Sequence, residues 1–331
     1  MRLLFELLGE HETLPRAEVL ACIEAEGYDY EILEEENRIL VLETEAEAER
    51  LGERLGLTRY VDEHLASGSI SELEDAARDL RPLSGSIALR RRDLRPRPER
   101  EGGDEGLNRI GGILANNNPV DLDSPDNEVR LISGKNNYLA LKKVAIERSS
   151  FGKRKVDRRP FFSPISLHPK YARTLVNLAR TSKGKTFLDP FCGTGGILIE
   201  AGLIGAELMG SDIKEEMIEG CKENLLNYNL DSFLFRSDIG DISEKVDSVS
   251  SIVTDPPYGR SSTTMKEELS SLYRRSFESF SGVLERGGYL AIVLPDKAFI
   301  EVGGEYLRLE EVYEQRVHKS LTRFYCVFKN Y

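Results

Sequence analysis

Thr254-Asp255-Pro256-Pro257-Tyr258-Gly259 follows directly on the apolar run Ser251-Ile252-Val253. Two prolines fix the backbone and remove two N–H donors. The Pro256 carbonyl is left as one acceptor, the Asp255 carboxylate is a second, and Tyr258 offers a flat stacking face. Such a cradle suits a planar amine. An exocyclic NH2 group is a poor nucleophile because its lone pair is delocalised into the ring, and acceptors on its hydrogens favour a pyramidal nitrogen and draw off positive charge. Asp255, Pro256 and Tyr258 are therefore the candidate catalytic residues, for direct transfer to an amine. The segment contains no cysteine for a covalent thiol route, and no metal site is expected. Guanine presents N1–H and N2–H side by side to one carboxylate, whereas adenine pairs a donor with an acceptor, which an asparagine amide matches better; Asp255 thus favours guanine N2. A base stacked in a duplex cannot enter such a pocket, so the target is single-stranded or flipped out. A rigid turn closing a strand explains Pro-Pro-Tyr taken alone, but not its position three strands after a glycine turn.

That turn is Asp189-Pro190-Phe191-Cys192-Gly193-Thr194-Gly195-Gly196, an acid at a strand end followed by glycines and a helix start. Glycines let the backbone pass close under a ligand, and the first crossover of an open α/β sheet is where nucleotides bind. Asp212 ends the next strand, where a carboxylate can accept both hydroxyls of a ribose, and Asp238 ends a third, placed for an adenine amino group. Each acid alone reads as a helix cap or turn residue; three at successive strand ends indicate a nucleoside cofactor. An acid beside the glycine turn repels a diphosphate but accepts an ammonium and a sulfonium, so S-adenosylmethionine fits better than NAD. Upstream, the aromatic and proline-rich stretch from Arg159 to Lys170 brings Phe161 or Phe162 toward the adenosine, while His168 and Cys192 read as structural.

These groups need a sheet to align them. Apolar runs at 186–188, 207–210, 232–235 and 252–254, alternating with helical spacing at 195–203 and 215–226, predict a doubly wound α/β sheet. A strand at 289–294 and a hairpin of 310–317 and 323–328 close it. Ahead of it, Thr13-Leu14-Pro15 opens a helix stopped by Gly27, residues 28–43 form two short strands, and Thr44-Glu45-Ala46-Glu47 reads as a capping box for a helix ending near Gly56. A strand near 86–91, a helix near 107–114 and strands near 129–133 and 137–146 make a second α+β module. Residues 147–160 hold six cations, little apolar periodicity, and read as a linker.

At 331 residues with 40% apolar and 31% charged side chains, the chain can bury one or two ordinary cores and is expected to form two or three domains, and its 4 cysteines, none in a CxxC pair, suit a reducing cytoplasm. Glu6 within the first apolar run, with Glu10 and Glu12 after it, is wrong for a signal peptide or membrane span. The net charge of −12 argues against a polyanion partner, yet residues 1–80 carry −15, residues 81–159 carry +7 and the remainder −4. Contact with nucleic acid is thus expected in the basic middle, with Arg90, Arg91, Arg92, Lys142, Lys143, Lys153, Arg154 and Lys155 as candidate RNA contacts.

On these residues the chain resembles the THUMP-containing tRNA guanine-N2 methyltransferases, most of all the archaeal tRNA (guanine-N2) dimethyltransferases acting on position 10. The likeness is most specific at Asp189 to Gly196, at Asp255 to Gly259 and at Phe161 to Lys170. It implies an N-terminal ferredoxin-like domain (1–60), a THUMP domain (61–146) that grips the 3′ end of tRNA, a linker (147–160) and a Rossmann-like class I methyltransferase domain (161–331). It further implies methionine contact by Asp189, Phe191, Gly193 and Gly195, ribose contact by Asp212, adenine contact by Asp238 and Ile239, and amine positioning by Asp255 and Tyr258. The resulting expectation is a cytoplasmic, monomeric enzyme that methylates guanosine N2 in tRNA, at G10, once or twice. The alternatives are an amino methyltransferase acting on another tRNA position, on ribosomal RNA or on DNA adenine N6, and a non-enzymatic RNA-binding factor on the same fold. The basic α+β module disfavours DNA, and the intact Asp255-Pro256-Pro257-Tyr258 disfavours the last.

Overall fold

Five consecutive buried residues, Leu3 to Leu7, require a strand covered on both faces, and one of the five is Glu6. The computed structural model describes residues 1–96, 104–163, 166–258, 268–318 and 321–331. It divides into one unit made of Met1–Arg16, Tyr28–Glu53 and Thr58–Ile146, and a second made of Ala17–Gly27, Arg54–Leu57 and Glu147–Tyr331. Among the described residues no helix is long and apolar enough to cross a membrane.

The first unit is a single seven-stranded sheet. Its strands are β1 (Arg2–Leu7), β2 (Tyr30–Glu36), β3 (Ile39–Thr44), β4 (Thr58–Gly68), β5 (Ile87–Asp93), β6 (Asn127–Ser133) and β7 (Asn137–Ala145), in the order β2-β3-β1-β4-β7-β6-β5. All neighbours are antiparallel except β5 and β6. Helices α3 (Ile70–Asp79) and α4 (Asp104–Ala115) bury Leu73, Ala77, Ile110 and Leu114 against Val129, Leu131 and Leu139 of the sheet. The boundary expected after residue 60 falls inside β4, and β1 to β7 share one sheet because β4 bonds β1 on one edge and β7 on the other.

Two smaller expectations also change. Helix α1 (Leu14–Ala25) is capped by His11, whose Nδ1 accepts from the N–H groups of Thr13 and Leu14 at 3.2 and 3.1 Å. Thr44 ends β3 instead of opening a helix: its hydroxyl donates to the Asp29 carbonyl at 2.8 Å, and α2 (Ala48–Arg54) begins later.

Buried charge in this unit converges on Arg130, which pairs with both Glu6 and Asp62. All three are nearly or fully inaccessible, and burial pushes the Asp62 carboxyl up to about 7 against the pull of Arg130. Removing one partner of such a cluster costs about 3–5 kcal/mol, because charge is left buried without a counter-ion. Arg130→Met is expected to lower stability by that amount at pH 8. Asp62, left without its cation, keeps a folded-state pKa above its unfolded one, so stability returns as it protonates, and urea unfolding at pH 5.5 should show a smaller loss.

The second unit holds α5 (Arg148–Lys153), α6 (Pro169–Leu178), β8 (Thr186–Asp189), α7 (Gly196–Gly202), β9 (Glu207–Asp212), α8 (Glu215–Leu226), β10 (Ser232–Arg236), β11 (Val249–Thr254), α9 (Leu269–Val283), β12 (Leu284–Leu294), α10 (Ala298–Gly304), β13 (Arg308–His318) and β14 (Leu321–Lys329). Its sheet runs β10-β9-β8-β11-β12-β14-β13, the first five strands parallel and the last two antiparallel, as the doubly wound reading with a C-terminal hairpin anticipates. On one face Tyr273, Phe277 and Phe280 of α9 pack on Ile252, Leu290, Ile292 and Phe328.

Residues 147–160 are not a free linker. Beyond α5, Arg154 forks onto Glu200 of α7 at 2.7 and 3.1 Å, and Arg159 reaches Thr194 at 3.3 Å. Arg173 completes the shell around Glu200 at 3.0 Å. The segments taken from the head are held by polar contacts inside this unit: the buried Glu18 carboxylate accepts from the Gly56 and Leu57 N–H groups, Thr174 and Asn177 at 2.8–3.0 Å.

Candidate active site

Parallel register fixes where the acids fall. Asp189 of β8 lies opposite Gly210, and Asp212 of β9 lies opposite Arg236 of β10, so the carboxyl ends of these strands form one edge. Asp238 follows β10 and Asp255 follows β11, which extends that edge to four adjacent strands. Strand β8 has β9 on one side and β11 on the other, the point where the winding reverses and a crevice opens.

The turn from β8 into α7 has left-handed backbone at Gly193 (φ 48°) and Gly195 (φ 79°), the latter with Cys221 Sγ 2.7 Å from where a Cβ would stand. A side chain there would be strained and would collide. The loop is tied to β9: the Cys192 N–H donates to the Ser211 carbonyl at 2.9 Å and the Gly193 N–H to Asp212 Oδ2 at 3.2 Å. Asp212 Oδ1 also accepts from the Lys214 N–H at 2.9 Å.

A narrow cleft joins this loop to the second motif, lined among others by Leu167, Asp189, Phe191, Gly193, Ile197 and Asp255. Asp189 Oδ1 accepts from the Thr254 hydroxyl at 2.8 Å and from the Phe191 N–H at 3.2 Å. Burial outweighs both and pushes its carboxyl up to about 7, with Asp255 and Asp212 adding like charge. Asp255 is raised by burial and drawn back by the Arg323 guanidinium and the hydroxyl of Tyr258, which donates to its Oδ1. Pro256 is buried behind it, and the Pro257 carbonyl accepts from the Tyr273 hydroxyl at 3.4 Å. Gly259 lies outside the described residues.

The structure does not gather every expected residue. Phe161 packs on α8, where a Cβ at Gly220 would overlap its ring, and its backbone is clamped by Asn224 at 2.9 and 3.0 Å. Phe162 is 54% exposed, and it is Ser166 and Leu167 that reach the cleft. Asp238 Oδ1 caps a 3-10 turn, accepting from the Gly240 N–H at 2.9 Å and from Arg275. Ile239 is 4% exposed and belongs to the core beneath α9. Thr254, Tyr273 and Arg323 escaped sequence reading; only Thr254 carried a signal, as the last strand residue before the acid.

Most expected RNA contacts are ion-paired within the fold. Arg92 meets Glu6 at 2.9 Å, Lys142 and Lys143 meet Glu128 and Glu63 at 2.7 Å, and Lys153 meets Glu147 at 3.4 Å. Arg90 donates to the Leu122 carbonyl, Arg154 is consumed by Glu200, and Lys155 is exposed. Arg91, paired with Asp93 at 3.5 Å, also lines a cleft of about 560 Å³ in the first unit with Arg95 and Arg109, which pair with Asp93 and Glu74 at 2.8 and 2.6 Å.

Acids at adjacent strand ends opening on one crevice, on a parallel sheet closed by an antiparallel hairpin, are the architecture of a class I methyltransferase. Residues 156–324 match the UPF0020 family, described as an RMKL-like methyltransferase domain. The chain belongs to the tRNA (guanine(10)-N2)-dimethyltransferase family: it is 35% identical to the enzyme of that name from Methanothermobacter thermautotrophicus and 34% identical to that from Pyrococcus abyssi, each over 98% of both chains. TrmN from Thermus thermophilus, at 24% identity and a TM-score of 0.55 over the whole of both chains, shares the fold.

The residues present fit S-adenosylmethionine. Asp189 is a buried acid with surplus negative field, the glycine loop leaves its backbone bare, and Asp212 stands at the next strand end. A cationic ligand that pairs with Asp189 needs it ionised, so affinity should rise with pH through about 7. Calorimetry with S-adenosylmethionine is expected to show a Kd several-fold lower at pH 8 than at pH 6. Thr254→Val, which removes a donor to the carboxylate, should displace that rise to higher pH.

Proposed function

We propose that this protein transfers methyl groups from S-adenosylmethionine to the exocyclic N2 of guanosine 10 of tRNA, in the cytoplasm, producing N2-methylguanosine and then N2,N2-dimethylguanosine. The observation that carries the reading is the cleft on which both Asp189 and Asp255 open; the family of the full-length relatives points to the same substrate.

S-adenosylmethionine supplies an electrophilic methyl on a sulfonium. Asp189 would pair with its ammonium, the bare Gly193 to Gly195 backbone would admit it closely, and Asp212 would accept from the ribose hydroxyls. Tyr258 stacks on the extruded base. Its hydroxyl pins one oxygen of Asp255, so the carboxylate meets the N1–H and N2–H edge of guanine in a set orientation. As N2 gains carbon it loses a proton, which Asp255 accepts and passes to solvent. After one transfer guanine still offers N1–H and one N2–H side by side, so the same carboxylate serves the second.

Asp255→Ala should reduce single-turnover methylation of unmodified tRNA by at least 100-fold while changing tRNA affinity less than two-fold; nucleoside analysis and filter binding measure the two. Loss of both together would remove the assignment. The product identity tests the reaction: N6-methyladenosine in place of methylated guanosine would overturn it.

In the first unit, the Arg91, Arg95 and Arg109 cleft is our candidate for gripping the tRNA backbone. Each phosphate deprived of its cation should lower the slope of log affinity against log salt by about 1. Arg91→Ala with Arg109→Ala is expected to weaken tRNA binding and flatten that slope by about 2, with S-adenosylmethionine affinity unchanged in calorimetry.

A further inference from the structure

The C-terminal hairpin carries a charge to the amine cradle that the motifs do not contain. Arg323 lies on β14, with its guanidinium carbon 6.0 Å from the centroid of the Tyr258 ring. Its Nε is buried and has no hydrogen-bond partner among the described residues. The groups around it are phenols: Tyr258 on one side, and on its own strand Tyr325, whose hydroxyl is committed to Gln315 at 2.8 Å. Gln315 is in turn held by Tyr171 at 2.7 Å, so this wall of the site is braced from β13 and α6.

Among the described residues, the groups facing Asp255 are Asp189 from β8, Tyr258 from its own loop, Tyr273 from α9, and Arg323 and Tyr325 from β14. One of these five is a cation. Asp189 repels a second carboxylate charge and the phenols are neutral, so Arg323 alone among them opposes both burial and the neighbouring acid.

Resting on the assignment of Asp255 above, we propose that Arg323 is a positioning residue for methyl transfer, counter-charge to the Asp255 carboxylate and clamp on the Tyr258 ring. An arginine suits both tasks, since its planar cation lies over an aromatic face while its charge reaches the acid beyond. The methyl passes from sulfur to N2, the carbon–sulfur bonding pair stays on sulfur, and the departing N–H proton needs an ionised Asp255 to receive it. Arg323 touches none of the reacting atoms; it acts through Asp255 and Tyr258.

The test is the pH dependence of single-turnover kcat with full-length protein and unmodified tRNA, for wild type, Arg323→Lys, Arg323→Met and Asp255→Asn. Arg323 holds the Asp255 carboxyl down, so its removal raises that pKa, on the order of one unit for a nearby opposite charge. The acid limb of Arg323→Met should therefore move about one pH unit upward, with kcat lowered at least ten-fold at pH 7 and KM for tRNA within two-fold of wild type. Arg323→Lys, which keeps the charge but not the plane, should restore the acid limb and only part of kcat. If Arg323→Met folds poorly, the Arg323→Lys comparison decides alone: a wild-type acid limb with reduced kcat supports the division of roles, and full wild-type kcat overturns the clamp. An unmoved acid limb in a folded Arg323→Met overturns the counter-charge. An acid limb that persists in the residual activity of Asp255→Asn removes the reading of Asp255 itself, a result distinct from either.

Discussion

Removing carboxylates from water is the constraint around which the catalytic unit is organised. Asp189, Asp212 and Asp255 lie at neighbouring strand ends, and burial pushes each above the ordinary carboxylate range. Each is met by its own donors: a hydroxyl and an amide for Asp189, two amides for Asp212, a phenol and a distant guanidinium for Asp255. The compensation is partial, and the surplus negative field is what a cationic cofactor enters.

The opposite bookkeeping holds for the cations. Six positive residues between 147 and 160 suggest a basic arm, yet Arg154 and Arg159 face inward to Glu200 and Thr194 and stiffen the base of the glycine turn from behind. Glu6 and Asp62 absorb Arg130 in the first unit in the same way. A count of charge along the chain therefore overstates what is offered to a polyanion; the surface that remains is set by which acids the fold has already buried.

Legibility followed the range of the interactions. The doubly wound sheet, its closing hairpin and the two motifs follow from local patterns, because strand spacing, glycine turns and prolines act within a few residues. Even the inner residues of the cleft, Asp189 and Asp255, were readable as strand-end acids. What failed depended on tertiary pairing. Phe161 and Phe162 sit at a plausible distance along the chain, but Asn224 turns the first against α8 and leaves the second outside. Arg323 stands 65 positions beyond Tyr258 and only β14 pairing brings it near. The division expected after residue 60 falls within β4, eleven residues long, whose pairing with β1 and β7 is also tertiary.

The second unit's use of Ala17–Gly27 and Arg54–Leu57 has a temporal meaning. During synthesis Glu18 leaves the ribosome long before Asn177, 159 positions later, can donate to it. Until then an acid destined for full burial can draw only on the Gly56 and Leu57 N–H groups, and the half that performs the chemistry stays unfinished at its very first segment. Contacts of this separation slow folding, and they make the enzyme indivisible: no single cut of the polypeptide yields a complete catalytic half.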